Sequence, residues 1–312
     1  MTDRVRVAVV GVGHLGRHHA RLLALFPGVD LVRVVDINRE RAAEVAAATG
    51  TVAATSLDEV LGYVDAVTIA VPTAAHLEVA RPFLERGTAT LVEKPLARSV
   101  VEADEMIAIA AKSGAILAVG HTERYNPAVA AARPLISNPR FVEVHRLGTF
   151  PERSLDIDVV FDLMIHDLDV VLSLVASDVV DIDAVGVPVL TGKVDIANVR
   201  LRFASGCIVN LTASRISRDR VRKIRFFQPD TYVSIDYAAQ EVEVWRLLRP
   251  PRGIPSIDGS KLDVARDEPL RLELVDFIEA VRASRSPTVT GEQGRMALAL
   301  AQDITTRMLE QA

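Results

Sequence analysis

Cysteine is almost absent: the chain holds one, Cys207. A lone thiol makes no intrachain disulfide and no thiolate cluster for zinc or iron–sulfur, and it fits a reducing compartment, so a cytoplasmic location is expected. Positive charge is not in excess either. The formal net charge is −5, with Lys and Arg clustered only locally, which argues against general nucleic-acid binding. No uninterrupted apolar run approaches the ~18 residues of a membrane span. The apolar run in "MTDRVRVAVVGVG" is too short for a secretion signal, lacks a small-residue cleavage site and flows into a glycine motif. His14 and His18 stand four apart without a third ligand, so no metal is expected there. Internal repeats and low-complexity stretches are also missing.

What is present is an ordinary globular composition, 49% hydrophobic and 25% charged over 312 residues. That length exceeds most single cores and points to two domains.

The first third reads as a dinucleotide-binding domain. In "VRVAVVGVGHLGRHHARLLAL" a β-branched run passes into a helical one across Gly11, Gly13 and Gly16. Gly11 permits the tight turn, Gly13 lets backbone approach a pyrophosphate, and Gly16 lets helix and strand pack closely. His14 and Leu15 are placed beside the pyrophosphate, at the helix N-terminus that would receive it. His18 and His19 read as helix surface or packing residues. A second strand, "LVRVV", ends in Asp36, whose carboxylate suits a ribose and repels a 2′-phosphate, favouring NAD over NADP. Arg39 and Arg41 are near enough to leave NADP open. Strands and helices then alternate through "VDAVTIAVP", "AAHLEVARPFLERG", "TATLVEKP", "SVVEADEMIAIAAKSG" and "AILAVG". That rhythm implies a parallel sheet with right-handed crossovers, and ligands at the carboxyl ends of its strands.

After residue 121 the pattern changes. Closely spaced strands such as "RFVEVHRLGTF", "VDIANVRLRFA", "GCIVNLTASRI", "TYVSIDY" and "EVEVWRLL" predict an α+β domain with a largely antiparallel open sheet. The expected division is an NAD-binding Rossmann domain, 1–121, and a second, α+β domain, 122–312, closed by helices at "EPLRLELVDFIEAVRAS" and "GEQGRMALALAQDITTRMLEQA". Arg249 to Lys261 reads as a surface loop.

The stretch "VVFDLMIHDLDVVLSLV", Val159 to Val175, predicts a buried helix that nevertheless carries acids and a histidine. At about 100° per residue, Asp158, Asp162, His166 and Asp169 share one stripe. A structural reading stands beside a functional one: Asp158 as a helix cap, His166 as a core histidine satisfied by a carbonyl.

"GVGHLGRHHA", "VEKPLA" (Val92 to Ala97) and "DLMIHDLD" (Asp162 to Asp169) together resemble the Gfo/Idh/MocA oxidoreductases. The resemblance is strong over the first ~130 residues and the buried helix, and general thereafter. It implies that Lys94 lies between nicotinamide ribose and substrate hydroxyl, that Asp162 and His166 form the D-x-x-x-H pair with Asp169 completing H-x-x-D, and that Thr73 and His76 border the cofactor. Glu93 is expected at the cofactor side, orienting its loop. Met164 departs from a common D-x-G-x-H, narrowing the pocket or marking a subgroup.

The chemistry implied is oxidation of a secondary alcohol, with His166 as base, Asp162 steadying it and Lys94 stabilising developing alkoxide. The expected site is the cleft between the domains. Arg124, Tyr125 and Asn126 are candidate substrate contacts, or simply a loop before a helix beginning near Pro127. The basic stretch Arg215, Arg218, Arg220, Arg222, Lys223 and Arg225 is a solvated face or an anion site. The pattern is most similar to members that oxidise the 3-hydroxyl of UDP-N-acetylglucosamine. A neutral polyol of the inositol type is the rival substrate, and a non-catalytic NAD-sensing regulator the alternative of another class. The family also implies a homodimer or homotetramer through the C-terminal sheet.

Overall fold

The structure, a computed structural model, describes residues 4–150, 157–250 and 254–310. It divides into two compact units: residues 1–121 with 270–298, and 122–269 with 299–312.

In the first unit the elements run β1 (Val5–Val10), α1 (Gly16–Leu23), β2 (Val29–Val35), α2 (Arg39–Thr49), β3 (Val52–Ala54), β4 (Ala66–Ile69), α3 (His76–Leu84), β5 (Ala89–Glu93), α4 (Val100–Ser113) and β6 (Leu117–Gly120). All six strands are parallel, in the order β3-β2-β1-β4-β5-β6. Their near-continuous apolar content follows from burial on both faces. The helices start and stop on local signals. Asn38 and Ser99 cap α2 and α4 through their side chains, and Gly50 and Gly114 end them in the left-handed conformation. Because every strand runs the same way, the segments after β1, β2, β4, β5 and β6 all leave one edge of the sheet.

In the second unit come α5 (Pro127–Ala132), β7 (Phe141–Leu147), α6 (Ile165–Leu174), β8 (Val179–Val187), β9 (Ile196–Phe203), β10 (Ile208–Ser214), β11 (Val221–Phe227), β12 (Thr231–Asp236), β13 (Glu241–Leu248) and β14 (Ser256–Lys261). The eight strands lie in the order β14-β13-β12-β11-β7-β10-β9-β8, antiparallel except for β7 against β10. One face is buried, with Val142 and Val144 of β7, Ile224 and Phe226 of β11 and Val233 and Ile235 of β12 among its residues. The alternate positions are half-buried.

Three expectations are corrected. The stretch Arg249 to Lys261 is not all loop: residues 251–253 lie outside the described residues, but Ser256–Lys261 is β14, paired along β13. The buried helix does not keep one period, since Val160–Met164 forms a π-helical turn that continues into α6. Finally, α7 (Pro269–Ala283) belongs almost wholly to the first unit rather than to a 122–312 domain. The reason is packing: Leu274, Phe277 and Ile278, spaced i, i+3, i+4, enter one apolar core with Val5, Val7 and Leu23. Arg282 adds donor bonds to the carbonyls of Pro27 and Gly28, at 2.9 and 2.7 Å. The last helix, α8 (Gly291–Glu310), is divided between the units after Leu298.

Candidate active site

The glycine loop passes a steric test. Gly11 has φ +82°, and a Cβ there would meet the Val71 backbone at 2.7 Å. A Cβ on Gly16 would lie 1.8 Å from the Gly11 carbonyl oxygen, so the first turn of α1 requires glycine. Gly13 differs: its nearest neighbour would be Arg41 Nη1 at 4.0 Å. Open space at that position is what a closely approaching pyrophosphate needs, and His14 and Leu15 beside it are exposed. At the end of β2, Asp36 is buried and accepts from the backbone N–H of Val12 at 3.0 Å and of Asn38 at 2.8 Å. Arg41 Nη1 pairs with it at 3.3 Å. The acid therefore shapes the glycine loop as well as standing where a ribose would be bound. These residues fit a dinucleotide.

Lys94 follows directly on β5, with a cis Lys94–Pro95 peptide after it. Its neighbours were only partly legible. Glu93 is buried: Oε1 meets His19 Nε2 at 3.0 Å, and Oε2 accepts the Lys94 backbone N–H at 3.2 Å. Burial works to raise the Glu93 carboxyl's pKa, but the His19 hydrogen bond and charge, with Lys94, outweigh it and hold it below the usual range. His76 is buried too, with Nδ1 at 3.0 Å from the Pro95 carbonyl oxygen and Nε2 at 3.0 Å from that of Val71. Burial lowers its pKa despite those acceptors. The polar atoms of Glu93 and His76 that these contacts engage face protein groups. Thr73, half-buried in the turn after Pro72, keeps its candidacy. His19, expected at the surface or in packing, is fully buried beside Glu93. Its spacing to Leu22 and Leu23, i+3 and i+4, was the available signal of an inward position.

In the second unit the π turn and α6 carry Asp162 and His166, both half-buried. π turns are frequent where a side chain is set for function. The remaining acids of the expected stripe are engaged elsewhere. Asp158 Oδ1 accepts the Val194 N–H at 2.9 Å. Asp169 is buried and meets Arg124 Nη1 at 3.2 Å. Arg124 is itself buried. Asn126 spends its side chain on the N–H of Ala128, the carboxylate of Glu123 and the carbonyl of Tyr237, at 3.1, 3.2 and 3.1 Å. Arg124, Asn126 and Asp169 thus make buried contacts within this unit, and Tyr125 is half-buried. Sequence reasoning missed Asp167. It is buried and gripped by Arg146 through Nε at 2.6 Å and Nη2 at 3.0 Å, while Glu123 takes Nη1 at 3.1 Å. The Arg146 guanidinium lies over the Tyr237 ring, 5.2 Å from its centroid. Burial opposes charge on Arg146, yet Asp167 and Glu123 push its pKa upward.

Three of the six basic residues of the stretch are paired with acids, and Arg222 is exposed. Arg215 is buried against Asp195 at 2.8 Å, Lys223 meets Asp236 at 3.2 Å, and Arg225 meets Glu143 at 2.7 Å. Arg218 and Arg220 are exposed. His14 and His18 form an edge-on ring pair, centroids 5.8 Å apart.

A parallel sheet with a glycine-rich dinucleotide loop, a lysine at the end of its fifth strand, and a second unit presenting Asp and His on a buried helix define a class of nicotinamide-dependent oxidoreductases. The comparisons agree. Residues 5–121 match the family model for the oxidoreductase family with NAD-binding Rossmann fold, and residues 137–229 match the GFO/IDH/MocA C-terminal domain. The chain belongs to the Gfo/Idh/MocA oxidoreductase family, and its cofactor is NAD. It is 41% identical over 299 residues to UDP-N-acetylglucosamine 3-dehydrogenase of Acidithiobacillus ferrooxidans, covering 95% of each chain. A solved structure of that enzyme superposes with TM-score 0.91 over 97% of each chain. The scyllo-inositol 2-dehydrogenase (NAD(+)) of Bacillus subtilis is 30% identical, over 93% of this chain and 90% of its own.

Proposed function

We propose that this protein is an NAD-dependent UDP-N-acetylglucosamine 3-dehydrogenase. One observation carries the substrate: 41% identity across 95% of both chains to an enzyme of that name, against 30% to an inositol dehydrogenase. NAD, when bound, supplies the hydride acceptor. In this reading His166 takes the proton of the sugar 3-hydroxyl, histidine being the side chain best suited to acid–base work near neutral pH. Asp162, four residues earlier, orients that ring or holds the sugar. Lys94 donates to the hydroxyl oxygen and stabilises charge as the C–H bond breaks. The C3 hydrogen leaves as hydride, with both electrons of its C–H bond, to the acceptor that NAD would supply; the hydroxyl proton goes to His166, and C3 becomes a ketone carbon. Tyr125 and Thr73 remain candidate contacts to sugar and cofactor.

Two coarser features extend to finer readings. Among the described residues no helix is long and apolar enough to cross a membrane. With Cys207 buried and its thiol pushed up to about 11 by that burial, a reducing cytoplasm suits the chain. The half-buried face of the C-terminal sheet supports a homodimer or homotetramer.

The test is NADH formation with UDP-N-acetylglucosamine, free N-acetylglucosamine and inositols as separate substrates. Turnover with the nucleotide sugar alone is expected. Lys94→Ala and His166→Ala should each lower it about 10²- to 10⁴-fold, the range of a lost acid–base group, with NAD affinity nearly intact. Turnover of inositols and indifference to UDP-sugars would refute the substrate assignment, and near-normal rates in both variants would refute the mechanism.

A further inference from the structure

The turn that carries Lys94 is held from both ends by buried histidines. At its start, Glu93 closes β5 with one oxygen on His19 Nε2 and the other on the Lys94 backbone N–H, at 3.0 and 3.2 Å. The seat is tight: a Cβ on Gly120 of the neighbouring strand would come 3.0 Å from Glu93 Oε2. Glu273 of α7 brings a carboxylate oxygen within 4.8 Å of the His19 and Glu93 polar atoms, closing the pocket around them. At the far end, His76 opens α3 with Nδ1 at 3.0 and 3.2 Å from the carbonyl oxygens of Pro95 and Leu96. Its Nε2 is 3.0 Å from the Val71 carbonyl oxygen, on the segment after β4. Exposure of His19, His76 and Glu93 is 0%, 1% and 5%. Neither histidine belongs to the glycine loop, and neither presents a ring nitrogen to solvent.

We propose that His19 and His76 are positioning residues for Lys94: His19 fixes the residue before the lysine through Glu93, and His76 fixes the two residues after it through their carbonyls. The physical ground is that an ammonium stabilises a developing alkoxide only from a pre-set position, and a displacement of about 1 Å is enough to cost about 10²-fold in rate. A lysine side chain has four rotatable bonds and little intrinsic preference. Its backbone anchor therefore decides how often the ammonium is in place. Buried hydrogen bonds give such an anchor its stiffness, because in low dielectric they are strong and costly to leave unmade.

The activity arm of the test rests on the proposed sugar-dehydrogenase reading; the exchange arm does not. The full-length chain is made as His19→Leu, His76→Leu, His19→Gln and His76→Asn. For the leucine variants we expect kcat to fall about 10- to 100-fold per folded molecule with KM for NAD changed less than about twofold. Amide hydrogen exchange across residues 93–97 should quicken in both. His19→Gln keeps a donor for Glu93, and His76→Asn a donor for the turn carbonyls, so each should recover most of the lost kcat. A purely structural role would instead lower Tm and leave kcat per folded molecule unchanged, which overturns the proposal. Unchanged exchange at 93–97 in both leucine variants overturns it as well. So does a fall in wild-type Tm on chelation that zinc restores, because His19, Glu93 and Glu273 would then be a metal site. Absence of wild-type turnover with UDP-N-acetylglucosamine counts against the substrate assignment, and the exchange arm still decides the positioning role.

Discussion

Arg124, Arg146 and Arg215 of the second unit are buried guanidinium groups, and each is met by a carboxylate. A buried ion pair adds little over a well-packed apolar alternative, but removing one partner strands a charge at a cost of about 3–5 kcal/mol. Asp195 is the most heavily bound of the acids: Oδ2 accepts the backbone N–H groups of Val189, Leu190 and Thr191 at 2.8, 2.7 and 2.9 Å. Oδ1 takes Arg215 Nε and the Thr191 hydroxyl, both at 2.8 Å. Burial works to raise its pKa, and these donors outweigh it and hold the carboxyl well below the usual range. A folded-state pKa below the unfolded value of about 3.9 means that the unfolded chain binds the proton first on acidification. This contribution is therefore complete above that value and is lost as pH falls toward the folded pKa. Asp195→Asn should lower Tm near neutral pH by roughly 6–20 °C, from the stranded Arg215 and the usual entropy of unfolding for a domain this size. It should also shrink the acid-induced loss of Tm below about pH 4. A Tm unchanged at neutral pH, or an acid limb as steep as that of the wild type, would remove Asp195 from this role. None of this was legible locally, because Arg215 sits in a basic run whose alternation reads as a solvated face. Its partner arrives from twenty residues earlier.

At the scale of the element, legibility followed the range of the interactions that decide each structure. The β1, glycine turn and α1 segment was readable to the residue, since glycine sterics and helix start are local. So was α4, quoted as a helix and bracketed by Ser99 and Gly114; α2, bracketed in the same way by Asn38 and Gly50, went unread. β14 was not, because Ser256–Lys261 is polar and exposed and is made a strand only by pairing with β13. The docking of α7 is likewise a tertiary choice. The candidate site split along the same line: Lys94, Asp162 and His166 came from motif resemblance, while the supports around them, His19, Arg146 and Asp167, are visible only in three dimensions. The π turn is the sharpest case, as one extra residue per turn leaves no mark on composition but shifts every later side chain relative to a uniform 100° wheel. It also reassigns Met164. Rather than narrowing a pocket, Met164 is 1% exposed at the end of that turn. Met164→Gly should then cost stability, about 3–6 kcal/mol from the lost buried side chain and the added backbone freedom, with little change in the sugar accepted. Denaturant titration beside a substrate panel checks this. A switch in substrate preference at unchanged stability would return Met164 to the pocket.

For the whole molecule the open question is what meets the outer face of the eight-stranded sheet. Along β7 the burial alternates, Val142, Val144 and Arg146 inward, Phe141, Glu143, His145 and Leu147 half-buried on the other side. Phe141, Phe227 and Tyr232 meet as tilted ring pairs across three strands on that outer side, with centroids 5.5 and 5.2 Å apart. Around them run cross-strand ion pairs, Arg225 with Glu143 and Lys223 with Asp236. Trp245, on β13, is 50% exposed. An apolar centre ringed by paired charges suits a face that meets another copy of the chain. A two-fold partner would meet the same patch with itself, so each aromatic finds an aromatic and each charged rim its complement. Sedimentation equilibrium should accordingly give a multiple of 33.8 kDa. Phe227→Asp places a charge at the apolar centre of the face, and in a twofold assembly it does so twice. The variant should dissociate toward monomer, with affinity weakened by at least about 10²-fold, the loss of roughly 3 kcal/mol typical of a central contact. Its far-ultraviolet circular dichroism should stay native, because Phe227 is half-buried and its neighbours Ile224 and Phe226 hold the inner face. A wild-type chain that sediments as a monomer at all concentrations, or a Phe227→Asp variant that assembles as tightly as the wild type, would show that this face is not where copies of the chain meet.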